Sequence, residues 1–510
     1  MSTIAPETAA HRRVTRPAAP PTTPWSRRDT THLAGVVLAA LLTRFLGLTL
    51  PTAGGTPIFD EKHYVPQGWD MVRSWANPVL GGIESNPAYG LVVHPPLGKQ
   101  LLALGEAVFG YTPLGWRVMT ALFGSAVVAL IFLLARRLTQ STALATVAGI
   151  IAVCDGVLLV SAKFGMLDIF QVVFVVAAAW TLAGDMRQMQ QRYHDAPPAS
   201  FMAPFGPRAG FRWWRFATGV LLGLSLAVKW SGLYYIAFFG LVSVFWELWL
   251  RHRYGIRRPV SGTLLHDVPP ALASLVALPA ALYLWSWRAW FASETAVYRH
   301  AAEDGTVAGS AWPWLSRLPD TVASWLYYHL SVLEFHGSLT SSGGHSHPWD
   351  SKPWAWLAAV RPILYYSATD LKCPLSSGSN CREMIFLFGT PAVWWLTVPV
   401  LGWAAWTWLA RRDTRVIVPL VAFAAGFLPW LAAFDRQMYF FYATALVPFT
   451  IVLLAMAVGR VWASGRRGRT AAIVYLGLVV AMFVYFSPIL YGMRIPDSYY
   501  QSLMWLPSWT

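Results

Sequence analysis

The sequence predicts an all-α integral membrane protein with about eleven transmembrane helices and two long extracytoplasmic loops. Three observations carry this. The chain is 56% hydrophobic and only 12% charged, with a mean hydropathy of +0.45. Soluble domains run near 25% charged, so most of this chain must face lipid or other membrane helices. Eleven apolar stretches can cross a bilayer, at roughly 31–50, 115–135, 143–160, 166–184, 213–229, 231–250, 268–289, 387–409, 415–433, 439–461 and 471–491. Arginine then marks alternate connections. The 28 Trp suit a protein with many membrane–water boundaries.

The arginine alternation sets the orientation. It begins with Arg12, Arg13, Arg16, Arg27 and Arg28 and continues with Arg136–Arg137. Arg187, Arg192, Arg208, Arg212 and Arg215 follow, then Arg251, Arg253, Arg257 and Arg258. Arg411, Arg412, Arg415, Arg460, Arg466, Arg467 and Arg469 complete the series. These are 23 of the 39 basic residues, all on one side. The positive-inside rule makes that side cytoplasmic and, with an odd number of spans, puts the C-terminus outside. The net charge of +15 does not indicate nucleic-acid binding, because the basic residues form no single patch.

Taken in order, residues 1–30 are rich in Pro, Ala and Thr and read as a disordered cytoplasmic tail. The run 31–50 is too long for a cleavable signal and lacks a small-residue cleavage site, so it is a retained first span. The first outer loop, 51–114, carries the adjacent acids Asp60 and Glu61 in IFDEKHYV. It also carries VVHPPLGK at 92–99, where Pro96 opens a helix and His94 and Lys99 flank its start, an arrangement suited to phosphate. The paired spans 143–184 and 213–250 enclose the polar breaks SAKFG and KWSG. The second outer loop, 290–386, is rich in Trp, Pro and His and includes GGHSHPWDSKPWAWL at 343–357. His345, His347 and Asp350 have partial metal-ligand spacing, but no third or fourth ligand is apparent, so no metal is expected. Cys373 and Cys381 face an oxidising compartment and are expected to form a disulfide, whereas Cys154 lies in a span as a packing residue.

Ionisable residues at membrane depth point to function. Arg44, Arg117, Asp155, Lys163, Asp168, Lys229, Asp435 and Arg436 all project to the outer side beside Asp60–Glu61. That describes a cationic pocket with one or two carboxylates at the outer lipid boundary. Such a pocket suits a polyprenyl phosphate, and a carboxylate suits deprotonation of a hydroxyl. A glycosidase needs two carboxylates because its leaving group must be protonated. A phosphate leaves as a stable anion and needs positive charge instead, so one base and several Arg and Lys residues suffice for a single inverting displacement.

With FDEKHYV, VVHPPLGK, WRVMTALFGS at 116–125, CDGVLLVSAKFGMLD at 154–168, SHPWDSKPWAW at 346–356 and LPWLAAFDRQMYFFY at 428–442, the chain resembles the protein O-mannosyltransferases in their shorter bacterial form. The segments keep their order from residue 31 onward. The resemblance implies a GT-C glycosyltransferase domain over 31–510. It would move mannose from polyprenyl-phosphate mannose to Ser or Thr of secreted proteins, during or after translocation, with no cofactor. It implies that Asp60 is the base and that Glu61 shares the catalytic site. Arg44 and Arg117 match basic positions of the family. His94, Lys99, Arg117 and Arg436 are then the expected donor-phosphate residues, with Asp155, Asp168 and His347 in support. The second loop, near 95 residues, is too short for the β-trefoil insert of the eukaryotic enzymes. Competing readings are another GT-C transferase acting on a glycan or lipid, a polyprenyl-lipid transporter that uses the acidic pair for proton coupling, and a purely structural membrane subunit.

Overall fold

The computed structural model describes residues 22–510 except 76, 78, 87–91, 209 and 374–379. Of the tail expected to be disordered over residues 1–30, residues 1–21 lie outside the described residues, whereas residues 27–30 are already helical, a correction. All eleven apolar stretches are helical along most of their length. Among the described residues, six helices are long and apolar enough to cross a membrane: Pro113–Thr139, Asp168–Asp195, Gly232–Arg253, Val268–Ser286, Thr414–Ala432 and Arg466–Tyr491. Three shorter apolar helices, Thr142–Val153, Trp213–Val228 and Val447–Trp462, pack among them.

Chain order explains where the loops fall. α1, Arg27–Phe45, starts four residues before the apolar run, because Ser26 and Asp29 form a capping box at its N-terminus. α2, Glu61–Arg73, and α3, Pro96–Phe109, both lie in the first loop. Pro occupies the first position of α3, where its missing N–H is harmless. α4, Pro113–Thr139, then runs back through the bundle. The third apolar stretch is broken into α5, Thr142–Val153, and α6, Gly156–Ser161, because Asp155 turns the chain and caps α6 by accepting from the Leu158 amide at 2.9 Å. α7, Asp168–Asp195, is the central helix, with 83% of its apolar window buried. Val268–Ser286 and Arg466–Tyr491, at 22% and 28%, turn most of their surface outward, as lipid-facing helices do. α8, Trp213–Val228, and α9, Gly232–Arg253, meet at the extended residue Lys229.

The second loop has regular structure of its own. It holds a long helix, Asp320–Ser338, and an antiparallel hairpin of β1, Ile363–Lys372, and β2, Asn380–Leu387. β3, Ile495–Pro496, adds to β2 and gives the order β1-β2-β3. The eighth apolar stretch consequently enters its long helix only at Thr397, since residues up to Leu387 belong to β2.

The two loops and the C-terminal segment are tied together. The Val297 amide donates to the Glu84 carbonyl, and Arg382 pairs with Asp497. The N-terminal segment packs elsewhere, with Asp29 accepting from Arg136 and Thr142. α4 alone separates those two regions by 27 residues, roughly 40 Å of helix.

Candidate active site

The loop-bearing end of the bundle encloses a cavity of about 830 Å³. Its walls come from the start of α2, residues 93–94, the start of α7, the α8–α9 junction, helix Asp320–Ser338 and residues 430–442. Several of these walls are helix ends or breaks, where backbone and side-chain polar groups leave regular structure, whereas Asp320–Ser338 presents the side of a continuous helix.

Asp60 stands immediately before α2 and lines the cavity, half-buried. Phe59 before it has φ near 51°, a left-handed turn that leads into α2, and the helical step of about 100° between consecutive residues points the two acids in different directions. Burial pushes the Asp60 carboxyl up to about 6, against the pull of His63 and Lys229. The carboxyl is therefore poised as a base near neutral pH.

Glu61 goes the other way. It is fully buried, grips Arg117 at 2.8 Å, and accepts from the amides of Gly165 at 2.8 Å and Ile58 at 3.2 Å. Arg117 also donates to the carbonyls of Leu48 and Pro51 and lies over the Phe164 ring. The catalytic expectation for Glu61 and the donor-phosphate expectation for Arg117 are both corrected here. Neither side chain lines the cavity, because each satisfies the other. Lys99 is corrected in the same way: it is buried in an ion pair with Glu84, so its charge is spent inside the first loop.

Arg436 does line the cavity. Its Nε donates to the His336 carbonyl at 3.1 Å, and Nη2 lies 3.0 Å from His336 Nδ1. Its guanidinium sits near the stacked rings of Trp430 and Tyr442. A guanidinium carries no acceptor, so His336 Nδ1 must accept. Burial first, and then the Arg436 charge, push His336 down to about 4, so it stays neutral. His94 also lines the cavity, 6.0 Å from the His336 ring, and burial keeps it neutral too.

Asp168 and Lys229 both line the cavity and pair at 2.8 Å across α7 and the α8–α9 junction. Arg44 is buried elsewhere, donating to the carbonyls of Ala152 and Val153 where α5 ends. Asp155, besides capping α6, accepts from Trp394 Nε1 at 2.8 Å. Both shape the helix break rather than the cavity wall. His347 is exposed, but its ring meets Tyr439, a cavity residue, at 5.2 Å. Cys373 and Cys381 are joined by a disulfide across the β1–β2 hairpin.

Sequence reasoning placed Lys229 in the cationic pocket without a specific role and left two wall residues, His329 and His336, unassigned. Lys229 ends α8 in KWSG, a polar break between two apolar runs. His329 and His336 sit seven residues apart on Asp320–Ser338, hence on one helix face, a spacing visible once that segment is read as helical. His329 Nδ1 meets the Trp325 carbonyl, so it carries the proton, and Nε2 accepts from the Tyr283 hydroxyl at 2.6 Å. Away from the acids the wall turns apolar, and Leu233, Leu284 and Leu333 are half-exposed outward there.

Comparison with known proteins gives consistent matches. A family model described as dolichyl-phosphate-mannose-protein mannosyltransferase matches residues 112–292. A second, described as the C-terminal four TMM region of protein-O-mannosyltransferase, matches 321–509. A polyprenol-phosphate-mannose–protein mannosyltransferase of Corynebacterium glutamicum is 64% identical, covering 97% of this chain and 96% of its own. Its namesake in Mycobacterium tuberculosis is 44% identical over 93% of this chain and 90% of its own. Among solved structures, the S. cerevisiae protein O-mannosyltransferase Pmt1-Pmt2 complex bound to the sugar donor superposes with a TM-score of 0.72. At 16% identity it covers 96% of this chain and 93% of that one, a likeness of fold.

Proposed function

Since the chain belongs to the protein O-mannosyltransferase family, we propose that the loop-end cavity is where its mannosyl transfer occurs, with Asp60 as the base. The protein is a multi-pass membrane glycosyltransferase of the GT-C type that moves mannose from polyprenol-phosphate mannose to protein. Membership sets aside the transporter and structural-subunit readings. One observation carries the site assignment: of the two adjacent carboxylates, Asp60 opens on the cavity that Arg436 also lines, while Glu61 is consumed by Arg117.

In this reading the donor phosphate lies against Arg436, with Lys229 nearby. The prenyl chain leaves past the apolar wall at Leu233, Leu284 and Leu333 toward lipid. The acceptor is a Ser or Thr hydroxyl of a secreted protein, reaching the cavity from the outer side during or after translocation. Asp60 takes the hydroxyl proton as the oxygen bonds to C1 of mannose. The bond from C1 to the phosphate oxygen breaks, its electron pair leaves with the polyprenyl phosphate, and the anomeric centre inverts. Arg436 offsets the charge that develops on the phosphate, so no general acid is required. The reaction as written needs no cofactor. The N-terminus is cytoplasmic and the C-terminus outside, by the arginine bias.

Membranes given radiolabelled polyprenyl-phosphate mannose and a Ser/Thr-rich peptide test this reading. Wild-type protein should label the peptide. Asp60→Asn should not, and Arg436→Ala should raise the donor KM. Normal labelling by Asp60→Asn would remove the base from this cavity.

A further inference from the structure

Residues 339–352 form no helix or extended strand, yet they bracket the turn that carries Arg436 from both sides. On one side Thr340 bridges Arg436, the Gln437 amide donates to the Leu339 carbonyl at 2.9 Å, and the Ser341 amide donates to the Asp435 carbonyl at 2.9 Å. On the other side the Met438 amide donates to Asp350 Oδ1 at 2.9 Å, and the Ser351 amide donates to the Met438 carbonyl at 2.8 Å. Lys352 closes the bracket. Its ammonium donates to the Arg436 carbonyl at 2.9 Å while pairing with Asp350 Oδ2 at 2.9 Å.

Residues 433–439, between the helix that ends at Ala432 and the short helical turn that starts at Phe440, have no regular ladder of their own to fix a long side chain. Here four of them, 435 to 438, have main-chain groups held by the 339–352 segment. Asp350, read from the sequence as part of an incomplete metal-ligand spacing, thus has a different use together with Lys352. We propose that Asp350 and Lys352 are positioning residues that set donor-phosphate affinity by holding the Arg436 main chain so that its guanidinium faces the cavity. The proposal rests on the reading of Arg436 as the phosphate-binding group. Neither residue touches the donor. Lys352 acts through the Arg436 carbonyl, and Asp350 acts through the Met438 amide and through Lys352.

The test is steady-state transfer with donor and acceptor peptide varied separately. Lys352→Met should raise the donor KM roughly 10- to 100-fold, the scale on which a misplaced contact group acts. The acceptor KM should stay within about twofold, and Lys352→Arg, which can still donate to the carbonyl, should recover most of the loss. In an Arg436→Ala background the Lys352→Met effect should vanish, because both changes act through one contact. Equal losses in the two backgrounds, or an unchanged donor KM in Lys352→Met, would overturn the proposal. If Lys352→Met does not accumulate, Asp350→Asn serves instead. It keeps an acceptor for the Met438 amide but loses the ion pair, and an unchanged donor KM there has the same force. Should Arg436→Ala alone leave the donor KM unchanged, the phosphate assignment falls, whatever Lys352 does.

Discussion

Glu61 and Arg117 meet fork to fork, Nε to Oε1 and Nη2 to Oε2 both at 2.8 Å, with neither side chain reaching solvent. The pair ties the first turn of α2 to α4. Removing one partner strands the other charge in the interior, a loss of about 3–5 kcal/mol. Glu61→Gln should therefore lower the unfolding temperature in detergent and the amount of folded protein. Normal thermal stability with abolished transfer would instead return Glu61 to the chemistry.

Asp60 carries the opposite expectation. Asp60→Asn should fold normally and lose roughly 10²–10⁴-fold in transfer rate, the usual scale for a general base. Burial raises this carboxyl to about 6, and it works only when ionised. kcat/KM should then rise with pH through about 6 and level off above it. A profile flat from pH 5 to about 8 would argue against Asp60 as the titrating base.

The sequence disclosed the membrane class, the helical stretches and the acidic pair, because hydropathy and composition are local properties. It did not disclose which acid faces the substrate. That depends on where the start of α2 sits in the fold and on an arginine 56 positions away. Lys99 and Arg117 looked like phosphate ligands because a chain read alone shows charge without its partner. Glu84 and Glu61 neutralise them through tertiary contacts. The hairpin Ile363–Leu387 escaped notice because its second strand runs straight into the apolar pattern of the next helices.

Lys99 and Glu84 are both buried, and their pairing leaves no charge for the donor. Lys99→Ala should lower stability by several kcal/mol, in the range of about 3–5 for a broken buried pair. The donor KM of whatever protein folds should be unchanged. Replacing both partners, as Lys99→Met with Glu84→Leu, should recover most of the stability, since no charge is then stranded. A raised donor KM in the double variant would show that Lys99 reaches the substrate.

Lys229 helps keep the Asp60 carboxylate ionised while it pairs with Asp168. Removing a cation makes an acid harder to ionise. Lys229→Met should therefore move the acid limb of the kcat/KM profile to higher pH, beyond any fall in the plateau. A lowered plateau with the limb unmoved would leave Lys229 as a phosphate contact or a packing residue only.

Glu106 offers a pH effect separate from catalysis. It is fully buried on α3 against Gly68 of α2, where a methyl group would come within 2.5 Å of its Oε2. Neither carboxyl oxygen has a hydrogen-bond partner among the described residues. Burial pushes its carboxyl from 4.5 up to about 9. The folded protein keeps this proton while the unfolded chain loses it, so stability is greatest below about pH 4.5 and falls as pH rises toward 9. Between pH 5 and 8 the effect has an upper bound of about 4 kcal/mol, at about 1.4 kcal/mol per unit. Glu106→Gln cannot ionise and should abolish this slope. Its unfolding temperature in detergent should match wild type near pH 5 and exceed it increasingly toward pH 8. Parallel curves for the two proteins would mean that the carboxyl ionises without resistance, and that water or a rearrangement of α2 reaches it. Because α2 also presents Asp60, a loosened α2–α3 contact at alkaline pH should show as a fall in kcat above the pH at which the Asp60 limb has levelled, and Glu106→Gln should remove that fall as well.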